Sequence, residues 1–510
     1  MSVHAILIGI DLGTTACKAM VFDQDLRLLA GASRQLALST LSGTEIEQDA
    51  EGWWETMRAA LCEALEKAGC DVRLVRGISV SSQGISFVPV DGGGAPLRAA
   101  FSWLDTRADE QRRRVLEAIG EKRVFSITGK RCSEAYVLPK VLWLRENEPE
   151  IWKRCRRVLM PLDFILARLT GEYVTDHTMA SGTMFYDITR QGWSSRILDA
   201  FDLDRAMLPE IRWGGTKIGA LRAEIAESLG LPRSVAVVVG GQDQKVAALG
   251  AGIDLERCTI SLGTAMAITQ KCERPVIDRD MRIPCFTDLL PGRWVIEGSA
   301  VCCSILDWAR QAFFPNTSYD ELNRLAEEAA GRVNPPFLLP FFSGAPAPFY
   351  DPGAKGVFAG LDLSTTPGQI VRSIYEGIAF LIRANIGVME SVSRPVHELR
   401  IFGGGARSDA WCRIIADIVQ RPVSALAAAE SASVGAAILA GMGSGVVESP
   451  EEAFAHLEIR RSYEPRPERA AQCDEGYGRF LSLAGRLLDV EEPGKRTWAH
   501  GLKARRRRSA

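Results

Sequence analysis

Residues 10–15 read Ile10-Asp11-Leu12-Gly13-Thr14-Thr15, and residues 260–265 repeat the pattern as Ile260-Ser261-Leu262-Gly263-Thr264-Ala265. Each copy follows a short β-branched run and leads into another strand-like segment. The sequence therefore predicts a strand, a tight Gly-Thr turn and a returning strand in each half of the chain. Such a turn brings backbone N–H groups and hydroxyls to one point, which suits a phosphate oxygen. The repetition predicts a duplicated fold that binds one polyphosphate from both sides.

The segments around the first turn indicate the α/β class with a mixed sheet. Residues 5–11, 17–23 and 26–32 alternate as a β-meander, residues 51–68 have apolar side chains at helical spacing, and residues 76–81 return as a strand. The second half repeats this order. The other predicted elements are helices at 108–120, 138–147, 162–169, 244–251 and 409–420, and strands at 235–239 and 397–402.

The length of 510 residues predicts two large domains. The repeated turn places a boundary near residue 252, which gives domains at 1–252 and 253–445. Residues 446–510 are predicted to form a helical appendage with a loose end. Its last basic run, residues 503–508, fits a solvated tail, with contact to an anionic partner as the alternative.

Composition excludes several classes of function. The formal net charge of -2 gives no general attraction to nucleic acid or anionic membranes. No stretch approaches the roughly 18 apolar residues that a membrane helix needs, and the first residues lack the features of a signal peptide. The twelve cysteines include no C-x-x-C pair and, with five histidines, suggest no zinc site. We expect a cytoplasmic protein with reduced thiols, as a possible homodimer.

Asp11 stands at the predicted end of a strand, directly before the first glycine turn. A carboxylate there can hold Mg²⁺, directly or through water, beside phosphates that the turn binds. Thr14 and Thr15 offer hydroxyl and backbone donors, and Lys18 lies further along the returning strand. The alternative is a plain β-hairpin. Because the second copy has Ser261 in this place, only the first half supplies the carboxylate.

Asp243 follows a buried strand in the run Gly240-Gly241-Gln242-Asp243-Gln244 and begins a predicted helix. The simple interpretation is an N-cap, a common role for aspartate. The functional interpretation is a general base that accepts a proton from an attacking hydroxyl. The paired glycines suggest that something approaches the backbone closely, and they favour the functional interpretation.

The run Phe402-Gly403-Gly404-Gly405-Ala406 ends a predicted strand, and Ser408 is the expected N-cap of the next helix. Glycines allow a flat ligand such as adenine to lie against the main chain; a flexible linker is the alternative. The chain has neither a G-x-G-x-x-G run that opens a helix here nor a G-x-x-x-x-G-K-[ST] phosphate loop. Nucleotide binding by either of those routes is therefore not expected.

Trp103-Leu104-Asp105-Thr106-Arg107 and Ser81-Ser82-Gln83 lie at the ends of strand-like runs in the first half. An indole face beside an amide, a carboxylate and a guanidinium suits a polyol, because the ring stacks on C–H groups while the polar groups bind hydroxyls. The alternative is that Trp103 packs in the core while Asp105 and Arg107 form a surface ion pair.

With these motifs the chain resembles the FGGY carbohydrate kinases, on their xylulokinase-like branch, within the superfamily of actin, hexokinase and the heat-shock chaperone ATPases. The Gly13 turn alone is weakly diagnostic. Two longer stretches are more specific: residues 136–144, Tyr-Val-Leu-Pro-Lys-Val-Leu-Trp-Leu, and residues 356–376, which contain Gly360-Leu361 and Ser373-Ile374-Tyr375-Glu376. The resemblance spans about residues 5–445.

The resemblance implies an ATP-dependent kinase of sugars or polyols, with two actin-like (ribonuclease H-like) domains and an ATP cleft between them. By analogy Asp11 and Asp243 lie near Mg²⁺, and Asp243 is the base. The remaining matched positions are Gly263 and Thr264 for the second phosphate turn, Gly404, Gly405 and Ser408 for the nucleotide, and Gln83, Trp103, Asp105 and Arg107 for the sugar.

One departure leaves the substrate open. After Gln83 the chain has Gly84-Ile85, where glycerol kinases have Arg-Glu and xylulose kinases usually have Met-His. Because lost hydrogen-bonding groups change substrate choice strongly, a pentulose such as xylulose is expected, with glycerol, another sugar alcohol or another ketose as alternatives. A chaperone-like or actin-like ATPase would explain the glycine turns equally well, but it would not explain the Trp103–Arg107 segment.

Overall fold

The computed structural model describes residues 3–331, 335–427 and 430–491. The basic tail and the rest of the predicted appendage from residue 492 lie outside these residues. Within them, no helix is long and apolar enough to cross a membrane.

The chain alternates between strands and helices over almost its whole length. The strands are β1 Ile6–Leu12, β2 Ala16–Asp23, β3 Leu28–Gln35, β4 Ser39–Thr40, β5 Ile46–Gln48, β6 Val75–Ser82, β7 Val88–Val90, β8 Ala100–Phe101, β9 Arg157–Leu159, β10 Val174–Asp176, β11 Tyr186–Asp187, β12 Gly192–Trp193, β13 Glu210–Arg212, β14 Lys217–Ala220, β15 Ala236–Gln242, β16 Arg257–Leu262, β17 Ala265–Cys272, β18 Cys285–Thr287, β19 Trp294–Val301, β20 Phe337–Leu339, β21 Val357–Ala359, β22 Glu398–Phe402, β23 Val423–Leu426 and β24 Ile459–Tyr463. The α-helices are α1 Ala50–Ala68, α2 Asp109–Ile119, α3 Glu121–Thr128, α4 Val137–Asn147, α5 Pro149–Arg154, α6 Pro161–Thr170, α7 His177–Ser181, α8 Ser195–Ala200, α9 Ala223–Leu229, α10 Asp243–Gly250, α11 Cys303–Phe313, α12 Tyr319–Glu328, α13 Pro367–Val392, α14 Asp409–Val419, α15 Ser431–Ser444, α16 Pro450–Phe454 and α17 Ala470–Glu491.

Two compact units divide the chain. Among the described residues, unit 1 consists of residues 3–252, Lys271–Val295 and Glu430–Leu457; unit 2 consists of Ile253–Gln270, residues 296–331, 335–427 and 458–491. The first change of unit falls at residue 252, where the repeated turn places the boundary. Two later segments return to unit 1, so the units are not consecutive stretches of sequence. The segment predicted as a helical appendage contributes α16 to unit 1, and β24 and α17 to unit 2.

Unit 1 is built on a six-stranded mixed sheet in the order β14-β15-β6-β1-β2-β3. Strands β15, β6 and β1 are parallel neighbours, while β2 and β3 continue the meander antiparallel. Because alternate side chains point to opposite faces of a strand, Ile6, Ile8 and Ile10 pack in the cluster that contains the α1 side chains, and Leu7 packs with α15. The sheet is therefore a central layer with helices on both faces.

Helix α15 lies unusually close to the layer beneath it. A Cβ placed on Gly9 of β1 would come within 2.0 Å of the Ser433 carbonyl oxygen, and one on Gly435 would come within 1.9 Å of the Val246 carbonyl oxygen in α10. Only glycine permits these backbone contacts. The backbone of α15 therefore packs directly on the backbones of β1 and α10 at these two glycines.

Unit 2 contains a second mixed sheet in which β19, β17, β16, β22, β23 and β24 follow one another. Strands β16, β22 and β23 are parallel, and β17 returns antiparallel from β16. The long helix α13 packs against α12, α14 and β20. The α/β class, the mixed sheets and each of the helices and strands predicted from sequence are confirmed, with bounds that shift by up to about three residues.

Candidate functional site

Asp11 and Asp243 lie at the same edge of the unit 1 sheet. Asp11 pairs with Ser81 of β6, and Gln242 at the end of β15 pairs with Ser82. The three parallel strands end together there. Two strand spacings of about 4.8 Å separate the backbones of Asp11 and Asp243 by roughly 10 Å, a span in which a phosphate group can lie between carboxylates.

Asp11 has an environment that suits a cation. Its Oδ1 accepts a hydrogen bond from Ser81 Oγ at 3.1 Å. Burial raises the pKa of this carboxyl to about 6, although Lys18 opposes the shift. Lys18 pairs across the hairpin with Asp11, and its Nζ lies 2.6 Å from Glu430 Oε2, so its ammonium is engaged within unit 1.

Asp243 is the first residue of α10, and the N-cap by backbone geometry is Gln242. Asp243 Oδ1 accepts hydrogen bonds from the Gln244 N–H at 2.7 Å and from the side-chain amide of Gln242. The Gln242 N–H donates to Thr178 Oγ1 at 2.8 Å. Asp243 is therefore oriented by its neighbours on both sides.

The paired glycines before Asp243 have an explanation inside the protein. A Cβ on Gly240 would come within 1.8 Å of the Val80 carbonyl oxygen, because β15 bulges against β6 between Val238 and Gly241. A Cβ on Gly241 would meet Leu289 at 2.3 Å. The close approach that the sequence indicates is therefore made by neighbouring protein.

Thr178 is itself held by a buried acid. Asp176 caps α7 by accepting from the N–H groups of Thr178 and Met179, and burial raises its pKa to about 6. The adjacent His177 stacks on Trp213 at 3.6 Å between centroids, and its Nδ1 lies 2.6 Å from Tyr186 Oη. Burial lowers the pKa of His177 to about 4, so the ring is neutral at physiological pH.

A closed circuit of hydrogen bonds connects the first Gly-Thr turn with Gln83 and Trp103. Gln48 Nε2 donates to the Thr14 carbonyl at 2.7 Å, and Gln83 Nε2 donates to Gln48 Oε1 at 2.8 Å. Ser86 Oγ donates to Gln83 Oε1 and accepts from the Trp103 N–H. Trp103 Nε1 closes the circuit on Thr14 Oγ1 at 2.8 Å. The predicted phosphate turn and the predicted sugar residues therefore belong to one network.

Asp105 and Arg107 form a buried ion pair. The Asp105 side chain is fully buried; it accepts from Arg107 Nη2 at 2.7 Å and from the Ile46 N–H at 2.8 Å. Arg107 also contacts Glu47 at 2.7 Å, and Glu47 binds Arg98. The alternative interpretation predicted an ion pair at the surface, and this is wrong because the pair is buried. It also predicted that Trp103 packs in the core, and this is wrong because the exposed fraction of Trp103 is 39%.

The loop at Gln83-Gly84-Ile85 has an unusual backbone. Ile85 adopts φ of 57°, which is a costly conformation for a β-branched residue. Its Cγ2 fills the place where a Cβ on Gly182 would lie. The Gln83 side chain is buried, and the neutral residues that follow it contact Gln242 and Gly182 closely.

The second Gly-Thr turn, in unit 2, is one residue shorter than the first. Leu262 pairs with Met266 across three intervening residues, whereas Leu12 pairs with Cys17 across four. The Gly263 carbonyl accepts from the Cys303 N–H at the start of α11, and Thr264 is exposed. The repetition in sequence therefore gives a similar but not identical hairpin.

In the glycine run of unit 2, two glycines are packed closely against protein and one borders open space. Cβ atoms on Gly403 and Gly405 would each come within 2.8 Å of Leu262, whereas nothing lies within 4 Å of one on Gly404. Gly404 is therefore the position where a flat ligand can reach the backbone. Ser408 is the N-cap of α14, as predicted, and its Oγ also donates to Asn323 Oδ1 at 2.7 Å.

Sequence reasoning missed Gln48, Thr178, Gln242 and Asn323. Each acts through contacts with residues distant in sequence, except that Gln242 stands directly beside Asp243. The available signals were the position of Gln242 beside Asp243 and the polar pair Glu47-Gln48 shortly before the helix predicted at 51–68.

Comparisons with known proteins find relatives of this chain over most of its length. The N-terminal domain of the FGGY family of carbohydrate kinases matches residues 6–250, and its C-terminal domain matches residues 258–444. The xylulose kinase of Lactococcus lactis is 30% identical over 92% of this chain and 95% of its own length; that of Bacillus subtilis is 32% identical over 88% and 90%. The crystal structure of xylulose kinase from Rhodospirillum rubrum, 28% identical, superposes with a TM-score of 0.87 over 94% of this chain and 99% of that one.

Proposed function

The chain belongs to the FGGY family of carbohydrate kinases, and we propose that it transfers the γ-phosphoryl group of ATP to a hydroxyl of a small ketose, with a pentulose such as xylulose as the first candidate. Members of this family are phosphotransferases that act on a sugar hydroxyl, so the alternative prediction of a chaperone-like or actin-like ATPase is wrong. Membership of the family implies ATP as the phosphate donor.

The observation that carries this proposal is the closed hydrogen-bond circuit in unit 1. It joins Thr14 of the Gly-Thr turn to Gln83 and to the exposed indole of Trp103. A phosphate donor and a polyol must be held a few ångströms apart with fixed orientation, since correct positioning supplies much of the acceleration in phosphoryl transfer. One rigid network that contains groups for both substrates meets this need.

Asp243 is the proposed base. The acceptor oxygen forms a bond to the γ-phosphorus, its proton passes to the Asp243 carboxylate, and the bond from the γ-phosphorus to the β–γ bridging oxygen breaks to release ADP. The start of α10 adds the favourable end of a helix dipole near the developing negative charge. Substrate-induced closure that excludes water would limit wasteful ATP hydrolysis.

Mg²⁺ is proposed to bind at Asp11, with Asp243 nearby. The partly buried Asp11 carboxylate, next to Ser81, provides hard oxygen ligands. This agrees with Mg²⁺, which usually takes one or two carboxylates and completes its shell with water and substrate phosphates. When bound, the ion would neutralise charge on the phosphates.

The phosphate and nucleotide contacts are proposed for both units. Gly13, Thr14 and Thr15 in unit 1, and Gly263 and Thr264 in unit 2, would donate to phosphate oxygens. In the glycine run, the backbone of Gly404 would lie against the adenine ring of ATP. Gly405 packs beneath this backbone and Ser408 caps the helix that follows it, so both would support the adenine contact. Lys18 would act through the field of its ammonium, since its Nζ already contacts Glu430.

We propose that Trp103 contacts the sugar directly. Gln83, Asp105 and Arg107 would mainly hold their neighbours in place, because these three side chains are largely buried among protein partners. The names of the relatives favour xylulose. The neutral Gly84-Ile85 pair leaves glycerol, another sugar alcohol or another ketose as alternatives. A cytoplasmic location, a homodimer and the absence of nucleic-acid binding remain predictions.

The test is a coupled ADP-release assay over ketopentoses, ketohexoses, tetritols, pentitols and glycerol. We expect a pentulose to give the highest kcat/KM. Asp243→Ala is expected to retain its fold and ATP affinity and to lose at least about 1,000-fold in kcat.

Asp109→Ala is the matched control, because Asp109 is likewise the first residue of a unit 1 helix but is half-exposed. It is expected to keep wild-type turnover. Full turnover by the purified Asp243→Ala protein would refute the assigned base, and a wild-type protein that phosphorylates none of these acceptors would refute the proposed function.

A further inference from the structure

Gln242 occupies the space that the missing side chain of Gly84 leaves. A Cβ on Gly84 would lie 2.7 Å from Gln242 Cγ and 3.2 Å from its Nε2. Gly84 does not have a positive φ, so a left-handed backbone conformation does not explain why glycine stands here. A side chain at position 84 would therefore have to displace the Gln242 side chain, and the two residues form a complementary pair.

The Gln242 side chain is directed at the proposed base. Its Nε2 donates to Asp243 Oδ1, and its backbone N–H is fixed by Thr178 Oγ1 at 2.8 Å. Thr178 in turn belongs to a helix capped by the buried Asp176. The Asp243 carboxylate is therefore oriented by Gln242, and Gln242 is fixed in turn by Thr178 of the buried helix α7.

The other end of the Gln242 amide is left without a partner. Gln242 Oε1 is buried and accepts no hydrogen bond within the described part of the chain. A buried unpaired oxygen lowers stability, and a residue chosen only to fill space would not need an amide. An apolar side chain of the same length would fill the space above Gly84 without this loss.

We infer that Gln242 is a positioning residue that orients the Asp243 carboxylate toward the acceptor hydroxyl, and that Gly84 is present to leave room for it. The inference rests on the proposed function, because it assigns an orientation to the proposed base. It gives the glycine at position 84 a physical meaning: Gln242 reaches from β15 into the space that a larger side chain at position 84 would fill.

The test is a double-mutant cycle with steady-state kinetics on the pentulose and ATP. Gly84→Ala displaces the glutamine, and Gln242→Met keeps the bulk but removes the donor. Because a hydrogen bond to a charged group is lost in each case, we expect each single variant to lower kcat about 10- to 100-fold, with KM for either substrate changed less than about threefold. In the Gln242→Ala background, Gly84→Ala should have almost no further effect.

Gly182→Ala is the matched control. A Cβ at Gly182 would crowd Ile85 of the same loop at 2.8 Å without reaching Gln242. Its effect on kcat, whatever its size, should therefore be the same with glutamine or alanine at position 242.

Three outcomes separate the possibilities. If Gln242→Met keeps wild-type kcat, the glutamine only fills space and the inference is overturned. If Gly84→Ala lowers kcat equally in both backgrounds, the proposed complementarity is wrong. If the wild-type protein is inactive, the proposed function fails instead, and if Asp243→Ala is fully active, the assigned base fails and this inference with it; should Gly84→Ala not fold, the Gln242→Met result decides alone.

Discussion

Replacing Asp105 with asparagine should destabilise unit 1 much more than it weakens sugar binding. The Asp105 carboxylate is fully buried and accepts from the Ile46 N–H and from the guanidinium of Arg107. Asparagine keeps the shape but removes the charge. Arg107 would then be left with Glu47 at 2.7 Å and the more distant Glu45 at 3.9 Å, and it would share Glu47 with Arg98, which also contacts Glu148.

The magnitude follows from the burial of the pair. Breaking a buried ion pair by removing one partner costs about 3–5 kcal/mol, because the remaining charge stays desolvated. With a urea m-value of about 3 kcal/mol/M, the unfolding midpoint should fall by about 1–1.7 M. Burial also lowers the pKa of the neighbouring Lys140 to about 7, so this lysine adds to the excess of positive charge as the pH falls below 7.

The assay is urea unfolding followed by circular dichroism, combined with the KM for the sugar measured below the transition. Asp109→Asn is the control, because Asp109 forms exposed ion pairs with Arg112 and Arg113 and such pairs contribute about 0–1 kcal/mol. The reasoning would be refuted if Asp105→Asn kept the wild-type midpoint while its KM rose tenfold, since Asp105 would then contact the sugar rather than support its neighbours.

Other substitutions test other parts of the structure. Trp103→Phe should raise KM for the sugar about tenfold, because it loses the hydrogen bond to the Gly-Thr turn; Trp308→Phe, at a similar exposed fraction, should change it less than twofold, and equal effects would contradict the assignment. Gly435→Ala should lower the free energy of unfolding by about 1–3 kcal/mol through overpacking, whereas Gly478→Ala, with open space in a helix, should raise it by up to about 1 kcal/mol. Because burial lowers the pKa of His177 to about 4, the unfolded chain binds the extra proton between about pH 6.5 and pH 4. Stability present above pH 6.5 is thus lost as the pH falls through that window, by about 2 kcal/mol after solvent screening. Unfolding of His177→Gln at pH 7.5 and pH 4.5 should show a smaller loss, and an unchanged loss would exclude this group as the cause.

The elements around the two Gly-Thr turns were predictable because their signals are local. β-Branched runs on both sides of Gly13 and the helical spacing of residues 51–68 are properties of neighbouring residues. The N-cap Ser408 was predictable for the same reason. In contrast, α15 has apolar or small residues on all sides, so its sequence shows no contrast between a buried and an exposed face.

The site was only partly predictable because its support comes from distant parts of the chain. Asp11 and Asp243 could be selected from their positions at strand ends. Gln48 could not, since it contacts Thr14 and Gln83 at separations of 34 and 35 residues. For Asp105 the sequence suggested an ion pair with Arg107 but could not indicate its burial, which depends on strands and helices packed around it.

The return of Glu430–Leu457 to unit 1 affects how the protein is made. During synthesis the face of the sheet that contains Gly9 has no cover until α15 leaves the ribosome, about 200 residues after Gly252. At about 5–20 residues per second this delay is roughly 10–40 s, during which apolar side chains such as Leu7 remain open to chaperones or to other nascent chains. A fragment that ends at Gly252 would be expected to aggregate on expression, and co-expression of a peptide covering residues 430–457 should restore its solubility.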